Sequence, residues 1–337
     1  MPEKTDMTQM TEMTAIVQRT YGGPEVLVPE SRLLPEPAST QVRIAVAAAG
    51  VHLLDTVLRE GETGPFGRAV LPTTPGREVA GTVDAVGDDV HAHWLGRRVV
   101  AHLGPLSGGY ASHALAPVSS LIELADHLDP AEAVAMVGTG RTALGILEEA
   151  AIGPGDTVLV TSAAGGLGVL LVQAAVRAGA TVVGVAGGAR KTALVASYGA
   201  EAVDYLEPSW AGKVAAVLGS ERPLTVVLDG VGGAVGRAAL ELVSPGGRLV
   251  MFGYTSGAVV PLTAQDVLER GVAVTAAIGA RMFARPGGIQ ALAEQAVGRL
   301  AAGEWRPEVT TYRLEEAAEA HRALAARETT GKVVLLT

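Results

Sequence analysis

The chain has 337 residues, enough for about two domains of ~150 residues whose cores need no covalent staple. It contains no cysteine, which excludes disulfides, thiolate nucleophiles and every cysteine-liganded zinc or iron–sulfur site. With 26 basic against 35 acidic residues the net charge is −9, which argues against nucleic acid or an anionic membrane surface as the main partner and leaves open a small neutral or anionic ligand in a local basic pocket.

Hydrophobic residues make up 48% of the chain, aromatics only 4%, and 43 glycines punctuate it, the composition of an α/β protein. Residues 1–13 are polar and lack both a basic n-region and an apolar h-region, so a cytoplasmic protein is expected. Residues 1–12 read as a disordered leader. From Thr14 to about Asp129 short β runs at 42–47, 79–86, 98–102 and 110–115 alternate with glycine and proline turns. From about Ala131 strands alternate with helices. Strands are predicted at 157–162, 181–186, 202–205, 225–229, 248–252 and 272–278, with helices at 166–178, 191–198, 210–218 and 233–243. Such alternation builds right-handed βαβ units and a six-stranded, doubly wound parallel sheet. A helix at 288–302, an amphipathic segment at 314–326 and a strand at 332–336 are too short to fold alone and are expected to return to the N-terminal β domain. The most apolar stretch, 157–186, is broken by Gly165, Gly166, Gly168, Arg177 and Gly179, so it has no run of ~20 apolar residues to span a bilayer.

The strand at 157–161 runs into Ser162-Ala163-Ala164-Gly165-Gly166-Leu167-Gly168 and then an apolar helix. This is the dinucleotide fingerprint with alanine in the first glycine slot. Glycine serves where backbone must approach a pyrophosphate and where helix packs on strand, while the helix N-terminal amides face the phosphates. The next strand ends Gly187-Gly188-Ala189-Arg190-Lys191, with no acidic residue to hold a ribose 2′-hydroxyl. Arg190 and Lys191 there favour a 2′-phosphate and hence NADP(H) over NAD(H).

With these motifs in order, the sequence resembles the medium-chain dehydrogenase/reductase superfamily, specifically its zinc-independent quinone oxidoreductase or zeta-crystallin-like branch. The resemblance is carried by 48–55 (AAGVHLLD), 75–81 (PGREVAG), 108–111 (GGYA), 140–143 (GRTA), the 163–168 turn and 331–334 (GKVV). It implies a GroES-like β-rich catalytic domain at 13–138 and 280–337, a Rossmann NADP(H)-binding domain at 139–279, a cofactor in the cleft between them, and a homodimer. Carried over residue by residue, it implies that His52 and Thr142 lie beside the nicotinamide, and Ala163 and Gly165 to Gly168, with Leu167, at the pyrophosphate. Arg190, Lys191 and Tyr205 are implied around the 2′-phosphate. Gly230, Val231, Phe252, Gly253, Tyr254, Ile278 and Gly279 are implied along the rest of the cofactor.

Zinc-dependent relatives place a cysteine and a histidine where this chain has His52 and Arg77, so no metal is expected. The His91-Ala92-His93 pair reads as solvated surface. Quinone-reducing relatives often carry tyrosines where this chain has Val57 and Leu144, and Arg141 replaces an apolar neighbour of Thr142. An aliphatic pocket is therefore expected, with Asp55, Arg59, Phe66 and Arg141 around it and Asp55–Arg59 as a structural ion pair. His52 and Tyr254 are the candidate catalytic groups. The expected activity is hydride transfer from NADPH to a quinone or α,β-unsaturated carbonyl of a small electrophilic substrate. The alternatives are an enoyl-thioester or biosynthetic tailoring reductase, and an NADPH-binding protein with little turnover.

Overall fold

The computed structural model describes residues 11–64 and 67–337, so the predicted leader lies almost wholly outside the described residues. The chain divides into two compact units. The first comprises residues up to Val134 together with 311–328 and 333–337; the second comprises 135–310 and 329–332. Among the described residues no helix is long and apolar enough to cross a membrane.

In the first unit β1 (Glu12–Gln18) pairs antiparallel with β2 (Leu27–Leu33). The main sheet is built on β3 (Gln41–Val51), β4 (Glu78–Val86), β5 (Arg98–His102), β6 (His113–Pro117) and β7 (Leu121–Glu123). It also takes two late strands, β14 (Val309–Arg313) and β15 (Lys332–Leu336), in the order β14-β15-β3-β4-β5-β7, with β6 also on β3. Alternate residues of β3 point inward, and Ile44 and Val46 meet Val79, Val83, Val99 and Val333 in one apolar cluster. Helix α1 (Leu53–Arg59) follows β3, and α11 (Ala317–Ala325) contributes Ala317 and Ala320 to the same cluster. The β pattern at 110–115 begins too early. Tyr110 sits in a bend before β6, its amide bonded to the Pro75 carbonyl and its own carbonyl to the Ile16 amide, both at 2.9 Å.

The second unit is a parallel sheet of β8 (Thr157–Thr161), β9 (Thr181–Ala186), β10 (Glu201–Asp204), β11 (Leu224–Asp229), β12 (Val243–Met251) and β13 (Ala273–Ala276). Its spatial order, β10-β9-β8-β11-β12-β13, reverses between β8 and β11, the switch point at which such sheets bind ligands. Helices α4 (Gly166–Arg177), α5 (Ala189–Ser197), α6 (Trp210–Leu218), α7 (Gly233–Glu241) and α8 (Ala264–Arg270) connect the strands, and α9 (Ala280–Phe283) follows β13. Upstream, α2 (Pro130–Ala135) runs through one π-helical stretch, Met136–Gly140, into α3 (Arg141–Ala150). Helix α10 (Gly288–Ala301) belongs to this unit, whereas the sequence pattern returns the chain to the β domain from residue 280. Its face of Leu292, Ala293, Ala296 and Val297 is buried, and a Cβ on Gly140 would stand 2.9 Å from the Ala296 methyl. The close approach of α10 to the π-helical stretch fixes its membership.

The first unit also buries a polar chain. Arg59 Nη1 lies 3.2 Å from His321 Nδ1, and Tyr110 Oη lies 3.1 Å from His321 Nε2 and 2.9 Å from Asp55 Oδ2. Asp55 Oδ2 also accepts the His52 amide at 2.9 Å, capping α1. Arginine only donates, so His321 Nδ1 accepts, its Nε2–H donates to Tyr110, and Tyr110 donates to Asp55. Burial and the Asp55 charge raise the Tyr110 pKa well above its ordinary value, which keeps that proton in place. Asp55 and Arg59 are thus bridged by Tyr110 and His321, not joined in the direct ion pair expected from sequence; the carboxylate that Arg59 meets is Glu60. Gly76 makes room for the bridge, since a Cβ there would stand 2.3 Å from the Tyr110 ring.

Burial, helped by the Arg59 charge and opposed by Asp55, lowers the His321 pKa from 6.5 to about 4. Above pH 6.5 His321 is neutral folded or unfolded and adds no pH dependence. Between pH 6.5 and 4 only the unfolded chain takes up the proton, so acid costs up to about 3 kcal/mol of stability. In His321→Gln the amide oxygen accepts from Arg59 and the amide nitrogen donates to Tyr110 without titrating. Urea midpoints measured from pH 7 to 4 should fall less steeply in this variant than in the wild type; equal slopes refute the assignment.

Candidate functional site

At the switch point β8 is followed by Ser162, a non-glycine residue at φ 51°, and the chain turns into α4. The glycines of the turn divide into two kinds. A Cβ on Gly168 would lie 2.2 Å from the Ser162 carbonyl oxygen, so the packing of α4 on β8 requires glycine there. A Cβ on Gly165 would meet nothing closer than 3.3 Å and on Gly166 nothing closer than 3.4 Å, and Gly165 has an ordinary φ of −80°. A side chain at either position would fit tightly, its neighbours yielding by a few tenths of an ångström, so packing alone does not demand glycine there. The absence of side chains clears a cradle at a helix N-terminus that carries no side-chain cap, the geometry that accepts a phosphate. Alanine is tolerated in the first slot because Gly184 stands opposite; a Cβ there would come within 2.8 Å of the Ala163 methyl.

Across the switch point, Asp229 ends β11 fully buried. Its carboxylate accepts from Thr161 Oγ1 at 2.8 Å, the Val231 amide at 3.1 Å and the Gly232 amide at 3.0 Å, and Thr161 Oγ1 in turn accepts the Gly230 amide at 2.9 Å. Burial raises the Asp229 pKa while these donors pull it back. The net fixes the Gly230–Val231 loop against β8. Phe252, Gly253, Tyr254 and Ile278, after β12 and β13, line an apolar cavity of about 470 Å³ with Val259 and Leu262. Tyr254 is 61% exposed, and Gly279 accepts the Met282 amide at 3.0 Å.

Arg190 is exposed and Lys191 half-buried in the first turn of α5, just after the Gly187-Gly188 end of β9. Tyr205 follows β10 and packs against the sheet core, its amide bonded to the Ala186 carbonyl at 3.3 Å. Thr142 and Arg141 open α3, and the Thr142 hydroxyl donates to the Gly138 carbonyl of the π-helical stretch at 2.8 Å. The strand-end residues therefore share the carboxyl edge of one parallel sheet.

His52, the remaining candidate, stands in the first unit at the head of α1. Its Nε2 lies 2.6 Å from Oε1 of Glu78, which is fully buried at the start of β4. Asp55 and Arg59 border a cavity of about 260 Å³ beside α1; Phe66 lies outside the described residues. The lining differs from the aliphatic pocket expected: it is mixed, with Arg68, Arg77, Thr73 and Ser107 beside Leu58 and Val70. Of the remaining histidines singled out in sequence, His91 and His93 are exposed and their Nδ1 atoms lie 2.8 Å apart. Among the described residues no group of three or more His, Cys, Asp or Glu is placed to hold a metal ion.

Sequence reasoning missed Asp229, Glu78, Tyr110 and His321. A lone acid at the end of the predicted strand 225–229 was the available signal for Asp229. The others act through partners far away in the chain; Glu78 and Tyr110 lie in the segments 75–81 and 108–111, which give no sign of those partners, and nothing local marks His321.

The chain matches the family model for the alcohol dehydrogenase GroES-like domain over residues 38–126 and that for zinc-binding dehydrogenase over 198–335. The zinc in the latter description does not fit this chain, which has no cysteine and in which, among the described residues, the His52–Glu78 pair near α1 lacks the further ligands a zinc site needs. A quinone oxidoreductase of Pseudomonas aeruginosa is 35% identical over 94% of this chain and 97% of its own length. A 2-haloacrylate reductase of a Burkholderia species is 30% identical over 96% and 98%. The structure of Escherichia coli quinone oxidoreductase complexed with NADPH superposes with a TM-score of 0.84 at 27% identity, covering 96% of this chain and all of that one. A GroES-like sheet unit, a doubly wound parallel-sheet unit and full-length identity above 30% place this chain in the zinc-independent quinone oxidoreductase branch of the medium-chain dehydrogenase/reductase superfamily, an oxidoreductase family.

Proposed function

We propose that this oxidoreductase uses NADPH to reduce a quinone or an α,β-unsaturated carbonyl. The observation that carries the cofactor reading is the side-chain-free turn at Gly165 and Gly166, at an uncapped helix N-terminus, together with the Arg190–Lys191 pair. NADPH, when bound, supplies a hydride. Gly165 to Gly168 would hold its pyrophosphate through backbone N–H groups, and Arg190 and Lys191 would pair with the 2′-phosphate, which a carboxylate at that position would repel. The Gly230–Val231 loop fixed by Asp229 and the apolar wall of Phe252, Tyr254 and Ile278 would complete the site in this unit.

In the first unit His52 is the group suited to the oxygen that gains charge during reduction. Glu78 Oε1 stands 2.6 Å from its Nε2 and the Asp55 cap holds its backbone, which places the ring. With Nε2 facing Glu78, the donor to a developing enolate or hydroquinone oxygen would be Nδ1–H of the imidazolium; conjugation in the acceptor spreads the rest of the charge without a metal. Tyr254, exposed on the other unit, enters as a second hydrogen-bond donor. The relative named for 2-haloacrylate favours extending the acceptors from quinones to activated acrylates. The homodimer implied by the family resemblance is part of the same proposal.

Purified protein with EDTA present should oxidise NADPH faster than NADH with 1,4-benzoquinone or 2-cyclohexenone. Preference for NADH, or abolition by EDTA, refutes the reading. In the Arg190→Ala, Lys191→Ala double variant the NADPH-to-NADH ratio of kcat/KM should fall by about 10- to 100-fold, as expected for loss of charge-assisted phosphate bonds. An unchanged ratio removes the pair from 2′-phosphate recognition. His52→Ala should lower kcat by about 100-fold, the usual worth of one positioned donor; unaltered kcat would show that His52 has no part in the reaction.

A further inference from the structure

We propose that the cavity beside α1 binds a carboxylate carried by the electrophilic substrate, with Arg77 and Arg68 as the residues that select the anion. The proposal rests on the reductase reading and narrows its substrate to electron-poor unsaturated acids.

Charge makes the case. The chain as a whole carries −9, yet the described residues lining this cavity include three arginines, Arg59, Arg68 and Arg77, and one carboxylate, Asp55. Asp55 is already engaged, because its Oδ2 accepts both the Tyr110 hydroxyl and the His52 amide. Arg59 is engaged as well, on His321, the Gly22 carbonyl and Glu60. Arg68 is exposed and held by neutral groups: its Nε donates to the Gly61 carbonyl, and its guanidinium lies 4.5 Å from the centroid of the Tyr21 ring. Stacking and a backbone bond fix the orientation of the fork and use one of its five N–H donors. Arg77 lies half-buried immediately before Glu78, the residue that holds His52, so its backbone is tied to the catalytic candidate. On the same wall the hydroxyls of Thr73 and Ser107 lie 3.1 Å apart and can turn toward an acceptor.

A guanidinium presents parallel N–H donors that match the two oxygens of a carboxylate, an arrangement a neutral carbonyl cannot use. The volume of about 260 Å³ falls below the ~300–1,000 Å³ of pockets for drug-sized ligands, which suits a small acid. The acid group stays unreacted throughout, so this binding is equal in ground and transition states and appears in KM.

The test compares 4-oxopent-2-enoate with its methyl ester, two molecules with the same reacting enone that differ by one charge. The acid should have a KM about tenfold lower, a preference that weakens from 0.02 to about 0.5 M salt as screening grows. Arg77→Leu and Arg68→Leu should each drive the acid-to-ester ratio of kcat/KM toward one through KM, and Arg77→Lys should restore part of it. Equal KM for acid and ester in the wild type, or a ratio that survives both leucine variants, overturns the proposal. Binding of saturated 4-oxopentanoate by equilibrium dialysis gives a readout independent of turnover: binding lost in Arg77→Leu supports the site, and no binding to the wild type overturns it. Failure to reduce the ester, 1,4-benzoquinone and the acid alike, with 4-oxopentanoate still bound, would fall on the reductase reading alone.

Discussion

The geometry around α1 depends on a buried chain of hydrogen bonds whose direction is set at one end. A guanidinium cannot accept, so Arg59 dictates the tautomer of His321, His321 dictates the orientation of the Tyr110 hydroxyl, and that hydroxyl must be given to Asp55. Residues 262 and 211 positions apart are joined in the process, which ties the late helix α11 to α1 and to the bend before β6. Loss of any member leaves two buried polar atoms without partners, at about 1–3 kcal/mol each. An apolar core of the same shape would be as stable or more so. What the polar version adds is position: Asp55 caps α1 through the His52 amide, and the ring of His52 is left to meet Glu78.

The second unit is organised on a different principle, the removal of atoms. Its turn has one glycine demanded by packing, at 168, and two that packing does not demand, at 165 and 166. Glycines at these two positions leave backbone bare at an uncapped helix start, an arrangement suited to an anion. Asp229 then does for the neighbouring loop what Asp55 does for α1, gathering backbone amides on one buried carboxylate.

Local pattern reached most of the fold and much less of the site. The period-2 and period-3.6 segments of the second unit are visible in sequence because each strand and helix is amphipathic or apolar by itself, and the order of the sheet follows from right-handed crossovers. Helix α10 shows the limit: its apolar face is plain, but the sequence does not say which surface that face covers, and Gly140 opposite Ala296 decides it. The turn glycines and the cationic pair after β9 were legible because chemistry and spacing coincide within 30 residues. The Asp55–Arg59 pairing failed for the converse reason. Two opposite charges one helical turn apart suggest an ion pair, and the residues that intervene come from 55 and 266 positions downstream of Asp55. The cavity was misjudged as aliphatic because its polar lining comes from loops between strands, where no periodicity reports on direction.

Net charge and local charge have opposite signs in this protein, and the difference bears on how it chooses ligands. A surface carrying −9 slows anions at long range, but at physiological ionic strength that field decays over about 8 Å. Selection is then left to short-range groups. The second unit offers Arg190 and Lys191 at the start of α5; the first offers Arg68 and Arg77 around a cavity whose one carboxylate is already satisfied. A neutral molecule gains little at either place. An anion that reaches them exchanges a repulsive surface for guanidinium and ammonium donors, and each charge-assisted bond is about twice as strong as a neutral one. The same arrangement disfavours the wrong ligand, since an uncharged analogue forgoes those bonds. If both sites act as proposed, discrimination for a phosphate in one unit and a carboxylate in the other rests on a few arginines and lysines placed against the prevailing charge of the chain.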